Sequence, residues 1–294
     1  MINVQLGNYG ANLQTNFDGW FYNMAPYNFF KNSVRVLFLF IISCGNHVWA
    51  QSSEELAKQL ANPVASLVSI PFQLNYDKDI GPIDDGDRFV LNAQPVIPFS
   101  MNSDWNVISR TVLPIISQDN ISPGSGSQSG LGDVVQSVFF SPKAATENGW
   151  IWGAGPVMLL PTASNDLLGA DQWGLGPTAV ILKQNGPWTY GSLANHIWSL
   201  SNDGLSPDIN TTFFQPFVSY TNQHAVSYGF STEATYDWDS EQSAVPINFT
   251  MSKVTKVAGQ LVSIAGGLRY WLDSAENGPE GLGFRLSITI LKPK

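Results

Sequence analysis

The chain has 294 residues, 44% of them hydrophobic and only 13% charged, with 26 Gly and 18 Pro. A formal charge of −9 and a pI near 4.6 argue against nucleic acid as a partner, because no basic surface is available for phosphates. The single cysteine, Cys44, excludes an internal disulfide framework, and three histidines are too few to suggest a transition-metal site.

In chain order, the first feature is the apolar run 36–42, far shorter than the roughly 20 residues of a membrane-spanning helix. It follows Lys31 and Arg35 and precedes Val48-Trp49-Ala50. Basic region, short apolar core and small residue at a cleavage position make residues 31–50 a secretory signal peptide. Residues 1–30 read as an over-extended or disordered leader, with Met24 the candidate start. Cys44 follows Ile41-Ile42-Ser43, which loosely resembles a lipoprotein cleavage box, so lipidation is the alternative to cleavage after Ala50. Residues 51–63 carry a serine cap, Glu54 and Glu55 in the first turn, and Leu56 and Leu60 four apart, stopping at Pro63. That pattern predicts a short amphipathic helix, placed in the periplasm ahead of the first strand.

From residue 64 to 294 the dominant signal is alternation. Segment 225–238 sets Val226, Tyr228, Phe230, Thr232, Ala234, Tyr236 and Trp238 against Ser227, Gly229, Ser231, Glu233, Thr235 and Asp237. Successive strand side chains point to opposite faces, so one face is apolar and the other polar, with a carboxylate where a soluble sandwich would place its core. About twelve such segments follow one another, at 64–76, 88–99, 105–115, 131–141, 150–160, 172–182, 188–199, 208–220, 224–237, 244–254, 261–272 and 281–291. Their length, even number and apolar-out pattern predict an all-β, up-and-down antiparallel transmembrane barrel. Long connections mostly alternate with short ones, as external loops and periplasmic turns do.

Tryptophan supports the same reading. Trp105, Trp150 and Trp188 fall at the periplasmic end, and Trp173, Trp198, Trp238 and Trp271 at the external end. These are the positions of the two aromatic girdles of a membrane barrel. The polar side of the strands nominates a lumen lining of Glu233, Arg269, Arg285, Asn248 and Thr250, joined by Arg88, Asn92, Gln94, Arg110 and Thr178. An arginine turned to lipid near the midplane would cost about 2–4 kcal/mol, which favours the lumen for each of them. The lining admits two readings, a polar path or a salt-bridged plug of a narrow barrel.

Catalysis has one local candidate, His196 with Ser199, but three positions apart on a strand they face opposite ways. His196 reads instead as an interior hydrogen-bonding residue. The loop 77–87, DKDIGPIDDGD, has carboxylates but not the spacing of an EF-hand. No cofactor or metal is expected.

The phrases LANPVASLVSIPFQLNYD, LNAQPVIPFS, ISRTVLPIIS, SGLGDVVQSVFFSPK, WGAGPVMLLPT, WGLGPTAVILKQNGPWTYGSLANHIWS, FFQPFVSYT and GLRYW span most of 56–294. Together they resemble the outer-membrane transporter-like barrels described as the MetA pathway of phenol degradation family. The resemblance implies an exported outer-membrane protein of a Gram-negative bacterium that passes small, aromatic or hydrophobic, compounds by diffusion. It brings no catalytic motif. The C-terminus, Ile290-Leu291-Lys292-Pro293-Lys294, lacks the terminal aromatic that often serves as an assembly signal. The expected function is therefore an outer-membrane channel, with a non-conducting structural barrel as the alternative and a lipid-modifying enzyme the weaker third. Its partners are outer-membrane lipid and a small solute, and oligomeric state is left open.

Overall fold

A computed structural model describes residues 52–200 and 208–292. The signal peptide, the leader, Cys44 and the C-terminal Lys294 lie outside the described residues. Twelve strands close on themselves in an antiparallel barrel: β1 Val68–Ile80, β2 Gly86–Ala93 continued by Val96–Ser100, β3 Trp105–Asp119, and β4 Ser127–Leu131 continued by Val134–Pro142. They are followed by β5 Trp150–Leu160, β6 Gly174–Asn185, β7 Trp188–Ser199 and β8 Asn210–Thr221. Next come β9 Val226–Thr232 continued by Ala234–Asp237, β10 Gln242–Val257, β11 Gln260–Asp273 and β12 Gly281–Lys292. Each strand pairs with its sequence neighbour, and β12 returns to β1 from Val68↔Lys292 to Tyr76↔Phe284. Closure leaves no open edge.

The strand faces divide as the alternation predicts. On β12 Leu282, Phe284, Leu286 and Ile288 are exposed on the outside, while Arg285 and Thr289 are buried inside. β11 repeats this with Ile264, Leu268 and Tyr270 against Ser263 and Arg269. An exposed apolar exterior over a polar interior inverts a soluble protein and suits lipid. Leu286 sits mid-strand on the outer face and is 60% exposed. Leu286→Arg is therefore expected to destabilise the barrel in lipid vesicles by about 2–4 kcal/mol, read from the denaturant unfolding midpoint.

Three strands are interrupted, and prolines explain two of the breaks. Pro95 opens β2 after Ala93, although Gln94 N–H still reaches Pro71 O and Thr111 N–H reaches Pro95 O. In β9 the register is unchanged across the gap at Glu233, from Phe217↔Ser231 to Phe214↔Ala234 on one side and from Thr232↔Ile247 to Thr235↔Ala244 on the other. That register sets Pro216 of β8 opposite Thr232 and Pro246 of β10 opposite Glu233. Neither proline donates to a ladder, so the pairing opens there. Close strand contact also needs glycine at Gly176, where a Cβ would lie 1.7 Å from the His196 carbonyl oxygen.

The helix α1, Ser53–Leu60, forms as predicted. The Ser52 side chain accepts from the Glu55 N–H, and Glu54 pairs with Lys58. The helix lies in the barrel mouth at the short-turn end. Leu56, Ala57, Ala65 and Leu67 pack with Ala225, Val254 and Leu291, and Val64 packs with Ile108, Phe139, Val180, Leu182 and Leu193. The wall strand accordingly begins at Val68 rather than 64, because Val64, Ala65 and Leu67 bury inside the lumen instead of joining the ladder.

Candidate functional site

Most of the nominated polar residues meet in the lumen, where strands β1, β9, β11 and β12 bring opposite charges together. Arg285 donates from Nη1 to Glu233 Oε1 at 2.9 Å and from Nη2 to Oε2 at 2.7 Å, while its Nε donates to Asn75 Oδ1 at 2.7 Å. Such a bidentate pair fixes geometry as well as charge. Arg269 Nη1 donates to Glu233 Oε2 at 3.3 Å. Its Nε lies 3.2 Å from Asp77 Oδ1, within ion-pairing range but without hydrogen-bond alignment. Asp77 Oδ1 also accepts from Trp271 Nε1 at 2.9 Å, and the Arg269 guanidinium lies 4.5 Å from the Trp271 ring centre.

This changes the place of two residues. Trp271 is a lumen residue and not part of the external girdle, because it shares the parity of Gly267 and Arg269 on β11. His196 is not interior: it shares the outer face of β7 with Trp198, and its Nδ1 lies 2.7 Å from Thr212 Oγ1, which also accepts from Trp238 Nε1. At the short-turn end Trp105 packs edge-on to Trp152, Trp150 to Tyr190 and Trp188 to Tyr220. Trp173, Trp198 and Trp238 stand exposed at the long-loop end.

Two cavities lie in series along the lumen. The upper, of about 1030 Å³, is lined by Asn92, Arg110, Glu233, Asn195 and Phe213 among others. The lower, of about 350 Å³, is walled by Thr250, Arg285, Ser231 and Ser287 and floored by Ala57, Leu60, Ala65 and Leu67 among others. Gln73, Gln94, Arg110 and Gln215 line both and form the waist between them. Of the remaining nominated residues, Arg269 stands behind Glu233 in the wall. Asn248 is fully buried beside Arg269 in the ladder, with neither side-chain polar atom bonded. Arg88 is half-buried with its Nε unbonded.

Sequence reasoning missed three parts of the site. Asp133, at the β4 break, accepts from the backbone N–H groups of Thr162, Ala163 and Ala170. It thereby folds the connection 161–173, with its short helical turn Asp166–Leu168, over the upper cavity. Gln118 secures the same segment through Leu167 O at 3.0 Å. Gln73 and Gln215 of the waist, on β1 and β8, were the third omission, whereas Gln94 is among the nominated residues. Asp77, expected in an external loop, is an inward strand residue.

These features define a twelve-stranded membrane barrel with an internally divided lumen. No family model matches the chain, and no curated protein matches it in sequence. Among solved structures it is similar in fold to an outer membrane channel from Pseudomonas putida F1. That match has a TM-score of 0.61 at 16% identity and covers 77% of this chain and 96% of that one. It matches outer membrane phospholipase A from Escherichia coli with a TM-score of 0.46 at 8% identity, covering 76% and 90%. The NanC porin matches with a TM-score of 0.45 at 11% identity, covering 77% and 100%.

Proposed function

We propose that the chain is an outer-membrane channel that passes small solutes by diffusion. The observation that carries this reading is the pair of cavities sharing a polar waist inside a barrel with an apolar exterior. A barrel with a purely structural role has no use for connected interior space, since side chains can fill one of modest strand number. On this reading solute enters from the long-loop end past Asn92 and Glu233, crosses the waist at Arg110, and meets Arg285 and Thr250 below. Arg269, Asn248 and Arg88 hold the lining in position. Val112, Val135, Leu159, Ile197 and Phe213 give the upper cavity an apolar side, which suits the small aromatic or hydrophobic compounds that the resemblance to the phenol-degradation barrels implies. Export by the signal peptide at 31–50 places the N-terminal segment on the periplasmic side.

The seated N-terminal segment favours a second reading, a closed and non-conducting barrel. Passive passage calls for no catalytic group. His196 and Ser199 lie on opposite faces of β7, which removes the one local base and nucleophile pair. Liposome swelling with the purified chain separates the readings: uptake of small neutral and aromatic solutes supports the channel, and no uptake of any of them, with residues 52–67 present or deleted, supports the closed barrel.

A further inference from the structure

Among the described residues, four guanidiniums and two carboxylates meet around the lumen's centre, and the pairing is uneven. Glu233 and Asp77 are taken up by Arg285 and Arg269. Arg110 has no carboxylate within ion-pairing distance and a single side-chain partner, with Nη2 donating to Gln94 Oε1 at 3.1 Å. It is also the one arginine that faces both cavities, ringed there by Gln73, Gln94 and Gln215. Glu233 acts on Arg110 electrostatically without touching it and is itself taken up by Arg285 and Arg269, so this half-buried cation has no carboxylate in contact, and a guest that supplied one would offset the cost of its burial. The amides around it offer N–H donors that accept the same kind of guest.

We infer that the waist is a binding site for a monocarboxylate carried on an apolar body. The carboxylate pairs with the Arg110 guanidinium, whose planar fork matches two oxygens, and the amides of Gln73 and Gln215 complete its shell. The apolar body lies upward against Val112, Val135 and Phe213. Asp166, Asp171, Asp208, Asp237 and Glu233 line the same cavity and oppose an anion; the first three are exposed to solvent, Asp237 is half-buried and accepts from the Asp239 and Ser240 N–H groups, and Glu233 is paired with Arg285 and Arg269. Salt screens the exposed charges over about 8 Å, whereas charges at the half-buried waist are screened less. The guanidinium gives the site its selectivity, because a neutral amide guest accepts from the surrounding N–H groups but supplies no counter-charge.

The inference rests on the channel reading for its route of access but is tested by binding alone. Calorimetric titration of the folded full chain in detergent with benzoate should show saturable binding, with benzamide binding at least about tenfold more weakly. Arg110→Gln should remove at least about tenfold of the benzoate affinity and leave benzamide unchanged. Heat-modifiable gel mobility confirms that the variant is folded, and Arg110→Lys, which keeps the charge without the fork, should retain part of the affinity. No benzoate binding to the wild type, equal binding of benzoate and benzamide, or unchanged affinity in Arg110→Gln overturns the site. Binding that persists in a barrel without solute flux supports the site and overturns only the channel reading.

Discussion

Glu233→Ala lowers the unfolding free energy of the barrel by about 3–5 kcal/mol, the largest effect expected of any single substitution in the lumen. The magnitude follows from what the carboxylate holds. Glu233 accepts both Nη groups of Arg285 and one of Arg269, and Arg269 and Arg285 keep only 8% and 5% of their surface exposed. Removing the anion strands two cations where water reaches them poorly. Asn75 and Asp77 remain as partners, which keeps the loss finite. Arg285→Met in the Glu233→Ala background should recover a large part of the loss, since replacing both members of a buried pair is often close to neutral. Urea titration in lipid vesicles measures both. A single variant within about 0.5 kcal/mol of the wild type, the usual range for a surface change, would show that the cluster is hydrated and weakly coupled.

Deleting residues 52–67 should raise single-channel conductance severalfold without loss of the barrel. The segment contributes no ladder pairs, and the wall begins at Val68. Its removal opens the floor of the lower cavity and exposes the apolar inner patch of Ile108, Phe139, Val180, Leu182 and Leu193 to water. That exposure costs stability, at roughly 25 cal/mol for each Å² uncovered. Gln184 Nε2, which donates to Lys58 O at 2.8 Å, and Asn106 Nδ2, which donates to Ser66 Oγ at 3.0 Å, lose their partners to water. Planar-bilayer recordings of the truncated and full chains supply the comparison. Equal conductance would mean that the path avoids the short-turn mouth.

Much of the wall was legible because membrane strands write two chemistries on alternate positions. Strand 188–199 begins and ends where the alternation places it, and 150–160 keeps its expected bounds although its own alternation is poor. β1 was misplaced at its start for a physical reason: Val64, Ala65 and Leu67 carry the apolar character of a wall strand, yet bury against the inside of one. Trp271 lies near a strand end, as a girdle residue would, yet its parity with Arg269 turns it inward. His196 is the opposite case, a polar residue that faces outward because it shares its parity with Trp198. In the site, Glu233, Arg269 and Arg285 could be nominated from alternation, whereas the gap that accommodates Glu233 depends on Pro216 and Pro246 in neighbouring strands. Register between strands is not written locally. The same holds for the waist, whose Gln73, Gln94, Arg110 and Gln215 meet only when β12 closes on β1.

The central claim, that solute passes through the two cavities by way of the waist, is tested most directly by cysteine accessibility in a conducting barrel. In a Cys44→Ser background, Gln215→Cys places a thiol at the waist and Leu286→Cys one on the lipid face. A charged methanethiosulfonate reagent added from the long-loop side during a bilayer recording should block current through Gln215→Cys and leave Leu286→Cys unaffected. Unaltered current through Gln215→Cys, with its modification confirmed by mass, would contradict the path.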